Sequence, residues 1–327
     1  MQYHVDKFRR KSPWLKCVRD TMRAIRLSPR TEDAYCRWIV DFCQWCEWKQ
    51  PETFTPQQVT DYLSSLAVER KVSASTQNQA FNALLFLFRR VLEKEFGEIK
   101  AERAKVSENI PEFVTADEFK LVCSHLSGDA KLLALLAFGT GLRLMELLRL
   151  RIKDIDFGGG LVIVHDGKGG KNRVVPLPKS LHDSLALKIA GNKLQHANDL
   201  IAGYGSVWLP DSLALKYPNA SKDFKWQWLF PSPTICKADD GTLRRHHLFP
   251  TGFQAALKLA GEKAGLNKRV HPHALRHGHA TALLSMGRSL EEVRKRLGHA
   301  DIRTTQIYLH CVNSADAPNP VDCLCNH

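Results

Sequence analysis

The sequence lacks an apolar run of about 18 residues or more, so it predicts no transmembrane helix. The opening stretch MQYHVDKFRRKSPW is basic and has no apolar core, so it predicts no secretory signal. The nine cysteines are scattered and odd in number, unlike a disulfide framework in a chain of 327 residues. We therefore expect a reducing, cytoplasmic location and no membrane partner.

Clusters of Asp and Glu are also scarce, so the sequence does not indicate a nuclease with two metal ions. His273 and His277 stand one helical turn apart, as two zinc ligands on a helix can. A zincin would carry glutamate directly after the first histidine, where this chain has Ala274. A metal site is therefore the weaker interpretation, and we expect neither a metal nor another cofactor.

Basic residues, in contrast, are abundant. The chain has 47 Lys and Arg against 34 Asp and Glu, which gives a formal net charge of +13. This excess predicts a polyanionic partner, because each phosphate that is neutralised releases condensed counterions. An anionic membrane surface attracts the same charge, so charge alone leaves the partner open. The composition is globular and the length suits two domains.

Helical periodicity predicts a compact all-α domain of four helices over residues 12–96. Two pairs, Ser28-Pro29 and Thr55-Pro56, each combine an N-cap with a proline at the first helical position. The last of these helices is expected to span residues 73–96. Residues 97–110 are polar and charged without periodicity, which predicts an interdomain linker.

The second domain is expected over residues 111–310, with 311–327 as a tail. It begins with the capping-box spacing of Thr115 and Glu118. An apolar helix is predicted up to Gly141, followed by a β-hairpin around the loop HDGKGGKN. Further helices are predicted at 181–194 and from Thr251 to Tyr308. The predicted fold class is therefore mainly α with a small β-sheet (α+β).

The chemistry is suggested by a few polar residues near predicted helix ends and turns. Arg143 and Arg276 could stabilise the charge that develops on a phosphoryl group, because guanidinium stays protonated and donates two hydrogen bonds. Tyr308 is the candidate nucleophile, and its phenol needs a base, for which His273 is the candidate. His299 could hydrogen-bond the phosphate or hold the site in shape. Arg143 follows the end of a helix, so its head group is expected to be free.

The predicted hairpin loop carries the candidate acid. Lys168 lies at its tip, where it could give a proton to the departing 5′ oxygen. Lys171 and Arg173 share this loop and could bind backbone phosphates instead. The residues alone do not separate Lys168 from Lys171.

Five stretches in order closely resemble the boxes of the tyrosine recombinases (phage-type integrases): GTGLRLMELLRLRIKDIDF, GKGGKNRVVPLP, HALRH, LGHA and TTQIYLH. The likeness covers nearly the whole chain, including an N-terminal helical domain of the core-binding (DNA-binding) kind. Residues 195–222 followed by FKWQWLFPS further resemble the extra segment of integron integrases. The resemblance implies a site-specific DNA recombinase that integrates and excises gene cassettes.

The resemblance implies a catalytic set with members from each box: Arg143, Lys168, His273, Arg276, His299 and Tyr308. Attack by Tyr308 would give a 3′-phosphotyrosine and a free 5′ hydroxyl. The hydroxyl of a partner strand would then reverse this step, so neither ATP nor a metal is needed. Gly278-His279 departs from the small residue and aromatic that relatives often have, which predicts looser packing behind Arg276.

For integron integrases the resemblance implies two DNA partners, a double-stranded attachment site and a cassette site folded from single-stranded DNA. A homotetramer is expected in the synapse. Extrahelical bases of the folded site would be held by the extra segment, where aromatic rings suit stacking. The candidate DNA-binding residues are Lys171, Arg173, Trp226, Arg245, His246 and His247. Trp226 is equally well explained as a core tryptophan.

Three alternatives remain open at this point. The chain could be a recombinase of the phage or chromosome-dimer-resolution type. It could be a relaxing enzyme similar to the type IB topoisomerases. It could also be an inactive DNA-binding module, although the complete set of six polar residues argues against that interpretation.

Overall fold

The computed structural model describes residues 13–105, 112–165, 172–238, 240–299, 301–302, 304–306 and 308–309. The chain forms two compact units, which divide between residues 109 and 110. Within the described ranges, no helix is both long and apolar enough to cross a membrane.

Among its described residues, the N-terminal unit has four α-helices: α1 (Pro13–Ala24), α2 (Pro29–Trp45), α3 (Pro56–Val68) and α4 (Ala74–Phe86). The side chains of Ser28, Thr55 and Ser73 each accept a hydrogen bond from a backbone N–H in the first turn of the helix that follows. These bonds satisfy donors that a helix start otherwise leaves unpaired. The caps predicted at Ser28 and Thr55 are confirmed.

The fourth helix ends earlier than its sequence pattern predicts. It passes into a π-helical turn, Leu87–Val91. Glu93 then takes a φ of +49°, and this left-handed backbone conformation reverses the chain. Phe96 therefore reaches the core from a loop, with its ring 5.3 Å from that of Phe88. Apolar periodicity identified Phe96 as a core residue but could not show this reversal.

Part of the predicted linker lies against the N-terminal unit. The Nε2 of Gln77 donates to the carbonyl oxygens of Leu63 and Glu102, at 2.9 and 2.6 Å. Its Oε1 accepts the backbone N–H of Ala104 at 3.0 Å. Gln77 and Ala104 are both buried. Residues 97–105 are therefore held by the unit that precedes them.

The second unit holds eight helices among its described residues: α5 (Ala116–Ser124), α6 (Gly128–Thr140), α7 (Leu144–Leu148), α8 (His182–Ile201), α9 (Asp211–Lys216), α10 (Pro250–Lys263), α11 (Pro272–Ser285) and α12 (Leu290–Leu297). The capping box of Thr115 and Glu118 is confirmed. Helix α8 extends beyond its predicted end at residue 194 into the segment 195–222, and α9 lies within that segment.

Two small antiparallel sheets accompany these helices. The first has the order β1 (Ile155–Asp156), β2 (Leu161–Val164) and β3 (Arg173–Pro176), with Val162 opposite Val175. This confirms the predicted hairpin and adds β1 to it. The second pairs β4 (Pro231–Lys237) with β5 (Leu243–His247). This second hairpin was not predicted, because the sequence of β5 is mostly basic and lacks the apolar pattern of a strand.

Helix α11 is closely packed at Gly278 and His279. The prediction of looser packing behind Arg276 is therefore wrong. A Cβ on Gly278 would lie 2.1 Å from the carbonyl oxygen of Val114, so only glycine allows this approach. His279 is 6% exposed, and its Nδ1–H donates to the carbonyl oxygen of Phe138 at 2.7 Å. The imidazole thus fills the place of an aromatic ring and ties α11 to α6.

Candidate active site

The turn after α6 positions the first arginine. Gly141 ends α6 in the left-handed conformation with φ +65°, and Arg143 is the N-cap of α7. Glu146 in the first turn accepts both the backbone N–H and the guanidinium of Arg143, each at 2.8 Å. A further guanidinium nitrogen lies 3.3 Å from the carbonyl oxygen of Gly298. The head group is therefore held in place, and the prediction that it is free is wrong.

Glu146 joins a second arginine to this arrangement. Its two carboxylate oxygens accept the two terminal nitrogens of Arg173 at 2.9 and 2.7 Å. The Glu146 side chain is 8% exposed. Burial alone would raise its pKa, but the hydrogen bonds from Arg173 and Arg143 outweigh burial and lower the pKa to about 2. The carboxylate is therefore charged at neutral pH.

Arg276 lies behind this pair and is 1% exposed. Its terminal nitrogens donate to the carbonyl oxygens of Gly141 and Leu297, at 2.6 and 2.5 Å. Both carbonyls lie at helix C-termini, where they lack partners within the helix and carry partial negative charge. Burial, and then the charge of Arg143, lower the pKa of Arg276 to about 9.

The guanidinium groups of Arg143 and Arg173 thus share the carboxylate of Glu146, whereas Arg276 is held by backbone carbonyl oxygens. Burial, and then the positive charge of Arg143, disfavour the charged form of Arg276. A phosphodiester would relieve this repulsion, and a transition state with extra negative charge would relieve it further. The arrangement is suited to phosphoryl transfer.

Tyr308 lies beside the histidines of α11. It is 3% exposed, and its hydroxyl is 2.7 Å from Nδ1 of His277. The ring of His277 also meets the ring of His273 edge to face at 4.4 Å. Burial, followed by the fields of His273 and Arg276, lowers the pKa of His277 to about 4. His277 is therefore neutral at pH 7.

His299 completes the cluster from the other side. Gly298 ends α12 with φ +65°, which turns the chain so that His299 stacks on Tyr308 at 6.4 Å. Its Nδ1 lies 2.9 Å from the Oγ1 of Thr305. Burial, and then Arg276 and Arg143, lower the pKa of His299 to about 3. A neutral imidazole can either donate or accept a hydrogen bond at this position.

The structure brings together all members of the predicted catalytic set that it describes: Arg143, His273, Arg276, His299 and Tyr308. Lys168 and Lys171 lie outside the described residues. Sequence reasoning missed Glu146 and His277. The spacing of Glu146 three residues after Arg143 is that of a capping box, and His277 follows His273 by one helical turn. Both spacings are visible in the sequence, but neither shows which group the side chain contacts in the fold.

The candidate DNA-binding residues are placed differently from one another. Arg173 is held by Glu146, and Arg245 is held by Asp199, at 2.5 and 2.9 Å. Both guanidinium groups are therefore paired with carboxylates of the protein, and their role in DNA binding stays a prediction. The ring of Trp226 lies under the cationic groups of Arg151 and Lys153, at 5.7 and 4.7 Å. Trp226 is half-buried, so it is neither a core residue nor a free platform.

His246 and His247 line a cavity of about 750 Å³ beside the segment 195–222. Its wall includes the carboxylates of Asp211 and Asp240 together with aromatic and cationic side chains: Arg149, Trp208, Trp228, Arg244, His246 and His247. Among the described residues, neither Nε1 of Trp228 nor Nδ1 of His246 has a hydrogen-bond partner, although both atoms are buried. Buried polar atoms without partners are uncommon in folded proteins.

Metal ligation was the rival interpretation of the histidines. In the part of the chain that the structure describes, no three His, Cys, Asp or Glu side chains are grouped to hold a metal ion. His277 is instead engaged with the hydroxyl of Tyr308.

Family models match both units. The "Phage integrase family" matches residues 108–314, and "Phage integrase, N-terminal SAM-like domain" matches residues 14–98. The first match alone covers more than half of the chain. The chain therefore belongs to the phage integrase family, and it is a tyrosine recombinase. The expected fold, an N-terminal helical domain followed by a mainly helical catalytic domain, is confirmed.

Named relatives agree with this assignment. The chain is 40% identical over 311 residues to proteins named "Integrase/recombinase" from Escherichia coli and Pseudomonas aeruginosa, which covers 94% of this chain and 92% of each relative. It is 32% identical over 252 residues to tyrosine recombinase XerA from Pyrococcus horikoshii, which covers 76% of this chain and 74% of that protein.

Solved structures share the fold. XerH bound to its difH substrate before cleavage is similar with a TM-score of 0.62 at 19% identity, over 95% of this chain and 85% of that chain. A lambda integrase dimer bound to a core site is similar with a TM-score of 0.57 at 18% identity, over 90% and 93% of the two chains.

Proposed function

We propose that this tyrosine recombinase is an integron integrase. It cuts and rejoins DNA through Tyr308, and it inserts and removes gene cassettes. The observation that carries the proposal is the aromatic and cationic cavity built by residues 195–222 together with β4 and β5. This cavity lies outside the cluster around Tyr308, so it suits a further part of the DNA.

The roles in the reaction follow from the geometry of the cluster. Arg143 and Arg276 bind the nonbridging oxygens of the scissile phosphate, because a guanidinium group stays protonated and can donate two hydrogen bonds at once. Tyr308 attacks phosphorus to give a 3′-phosphotyrosine. Lys168 gives a proton to the departing 5′ oxygen. His273 and His299 border the phosphate and donate hydrogen bonds as neutral imidazoles.

Double-stranded DNA is one expected substrate. The two neighbouring structures named above are complexes of those recombinases with their own DNA sites, and the net charge of +13 suits the same kind of partner. Assembly into a homotetramer brings two such sites together for strand exchange.

A folded single strand is the second expected substrate. Its extrahelical base enters the cavity, where it stacks on the rings of Trp208 and His246. His247 is neutral because burial lowers its pKa to about 4, so it adds a flat uncharged face.

Covalent trapping tests the nucleophile. A nicked attachment site loses its 5′ hydroxyl fragment after cleavage, so the phosphotyrosine adduct accumulates and is seen as a shifted band on a denaturing gel. Tyr308→Phe is expected to form no adduct while it binds the same DNA with unchanged affinity. A phosphate-linked adduct in this variant would show that another residue attacks.

Strand transfer on a folded cassette hairpin, compared with a duplex of equal sequence, tests the subgroup. The wild-type chain is expected to prefer the hairpin. His246→Ala is expected to lose this preference and keep its activity on the duplex, because the cavity lies outside the cluster around Tyr308. His125→Ala, at the exposed end of α5, is the matched control. Equal wild-type activity on both substrates would refute the integron assignment.

A second candidate is a recombinase of the Xer type that acts on duplex DNA alone. The relative named XerA, at 32% identity, favours it. The same comparison decides between the two, because a duplex-only enzyme would show no gain from the folded strand and no loss in His246→Ala.

A further inference from the structure

His277 occupies a position that the proposed mechanism has not yet used. Its Nδ1 lies 2.7 Å from the hydroxyl of Tyr308, which is within hydrogen-bond distance for a phenol and an imidazole. Sequence reasoning assigned the proton of Tyr308 to His273, which lies one helical turn earlier on α11. The ring of His273 contacts the ring of His277 at 4.4 Å.

We propose that His277 is a further catalytic residue, whose Nδ1 holds the hydroxyl of Tyr308 and takes its proton as the tyrosine oxygen bonds to phosphorus. The inference rests on the proposed recombinase function, since it concerns the same reacting oxygen. His273 then supports the ring of His277 and borders the phosphate.

The surroundings of His277 suit a proton acceptor that acts only with DNA in place. Its ring is half-buried and neutral, and in the tautomer with the proton on Nε2 the lone pair of Nδ1 accepts the hydroxyl of Tyr308. An imidazolium beside Arg276 and His273 is unfavourable in the free protein. The negative charge of the reacting phosphate offsets this cost, so proton transfer is tied to the formation of the phosphotyrosine bond.

The step balances without a further reactant. The bond from the Tyr308 oxygen to phosphorus forms, and the bond from phosphorus to the 5′ oxygen breaks. The phenolic proton moves to Nδ1 of His277, while the departing 5′ oxygen receives a proton from the acid assigned to Lys168. In strand transfer the incoming 5′ hydroxyl attacks phosphorus and gives its proton back to the deprotonated acid assigned to Lys168, and Tyr308 leaves with the proton that His277 returns.

Two variants separate the proton transfer from the hydrogen bond. Asparagine carries a polar atom at the same distance from Cβ as Nδ1, so His277→Asn keeps a partner for Tyr308 but has no base. His277→Phe keeps the ring and loses both. The expected single-turnover rate of adduct formation falls by about 10²-fold or more in each variant. DNA affinity is expected to stay at the wild-type value, and His125→Asn serves as the surface control.

A substrate with sulfur in place of the bridging 5′ oxygen identifies which proton is affected. A thiolate leaves without protonation, so this substrate is expected to restore cleavage in Lys168→Ala. It is not expected to restore cleavage in His277→Asn, because the proton of Tyr308 still has no acceptor. Restoration in His277→Asn, or a wild-type rate on the ordinary substrate, would overturn the proposal.

A measurement without DNA separates this inference from the proposed function. In protein carrying ¹⁵N-histidine, the Nδ1 resonance of His277 is expected to move when Tyr308→Phe removes the hydroxyl. An unchanged resonance would refute the contact itself. A wild-type chain that attaches to no DNA would instead refute the recombinase function and the proton step together, with the contact still measured.

Discussion

Replacing Glu146 with glutamine removes one negative charge from between two arginines and keeps the shape of the side chain. The carboxylate is 8% exposed, and it accepts hydrogen bonds from both Arg143 and Arg173. The fall of its pKa from 4.5 to about 2 corresponds to about 3 kcal/mol of stability at neutral pH, at about 1.4 kcal/mol for each pH unit. Burial is nearly complete, so solvent screening reduces this figure little.

The sign of the pH dependence follows from the direction of the shift. A carboxyl whose pKa is lower in the folded state stabilises the protein fully above the unfolded pKa of 4.5, and this contribution is lost as the pH falls towards about 2. The difference between wild type and Glu146→Gln is therefore expected to be constant above about pH 5 and to shrink below it. Other carboxyl groups titrate equally in both proteins and cancel.

Calorimetry of the full chain is the assay, since the two units need not unfold together. About 3 kcal/mol lowers the melting temperature of a unit of this size by roughly 6–12 °C. Glu262→Gln is the matched control, because Glu262 is exposed and pairs with Lys258 at 3.7 Å. Such pairs add little stability. Equal melting temperatures for Glu146→Gln and wild type at pH 7 would refute the reasoning.

Three further outcomes are expected in the second unit. Gly278→Ser is expected to lower stability by about 1–3 kcal/mol or more, because its Cβ would meet the carbonyl of Val114 at 2.1 Å. Gly191→Ala, in an open position on α8, is expected to raise it by about 1 kcal/mol, and urea unfolding measures both. The pKa of His279 is about 4 in the folded unit against 6.5 in the unfolded chain, so the unfolded chain binds a proton more readily. Acidification from pH 7 to about pH 5 is therefore expected to destabilise the unit. His279→Phe is expected to lose part of this sensitivity in melting curves, and an unchanged pH dependence would contradict the assignment.

Helix starts were predictable from sequence because their chemistry is local. Thr55 and Thr115 cap their own helices through hydrogen bonds that involve residues within one turn. The end of α4 was not predictable, since Phe96 reaches the core through a chain reversal at Glu93. The basic sequence around Arg245 is typical of an exposed surface. Only the fold shows that Asp199 from α8 forms an ion pair with Arg245.

The candidate site also contains residues that the sequence predicts and contacts that only the structure shows. Arg143, Arg276, His299 and Tyr308 could be selected by their chemistry and by resemblance. Their partners could not be selected, because a motif does not show which groups meet across the fold. The separation of His277 from Tyr308 along the chain exceeds any local pattern, so their hydrogen bond is visible in the structure alone.

The ends of two helices explain why the polar groups converge. Gly141 closes α6 and Gly298 closes α12, both with left-handed backbone, and each turn leaves nearby carbonyl oxygens without helical partners. Arg276 joins the two ends by donating to Gly141 and Leu297. A buried cation is costly without partners, so these carbonyls stabilise it without neutralising its charge. The guanidinium can thus be fixed in place while its charge still attracts a phosphate.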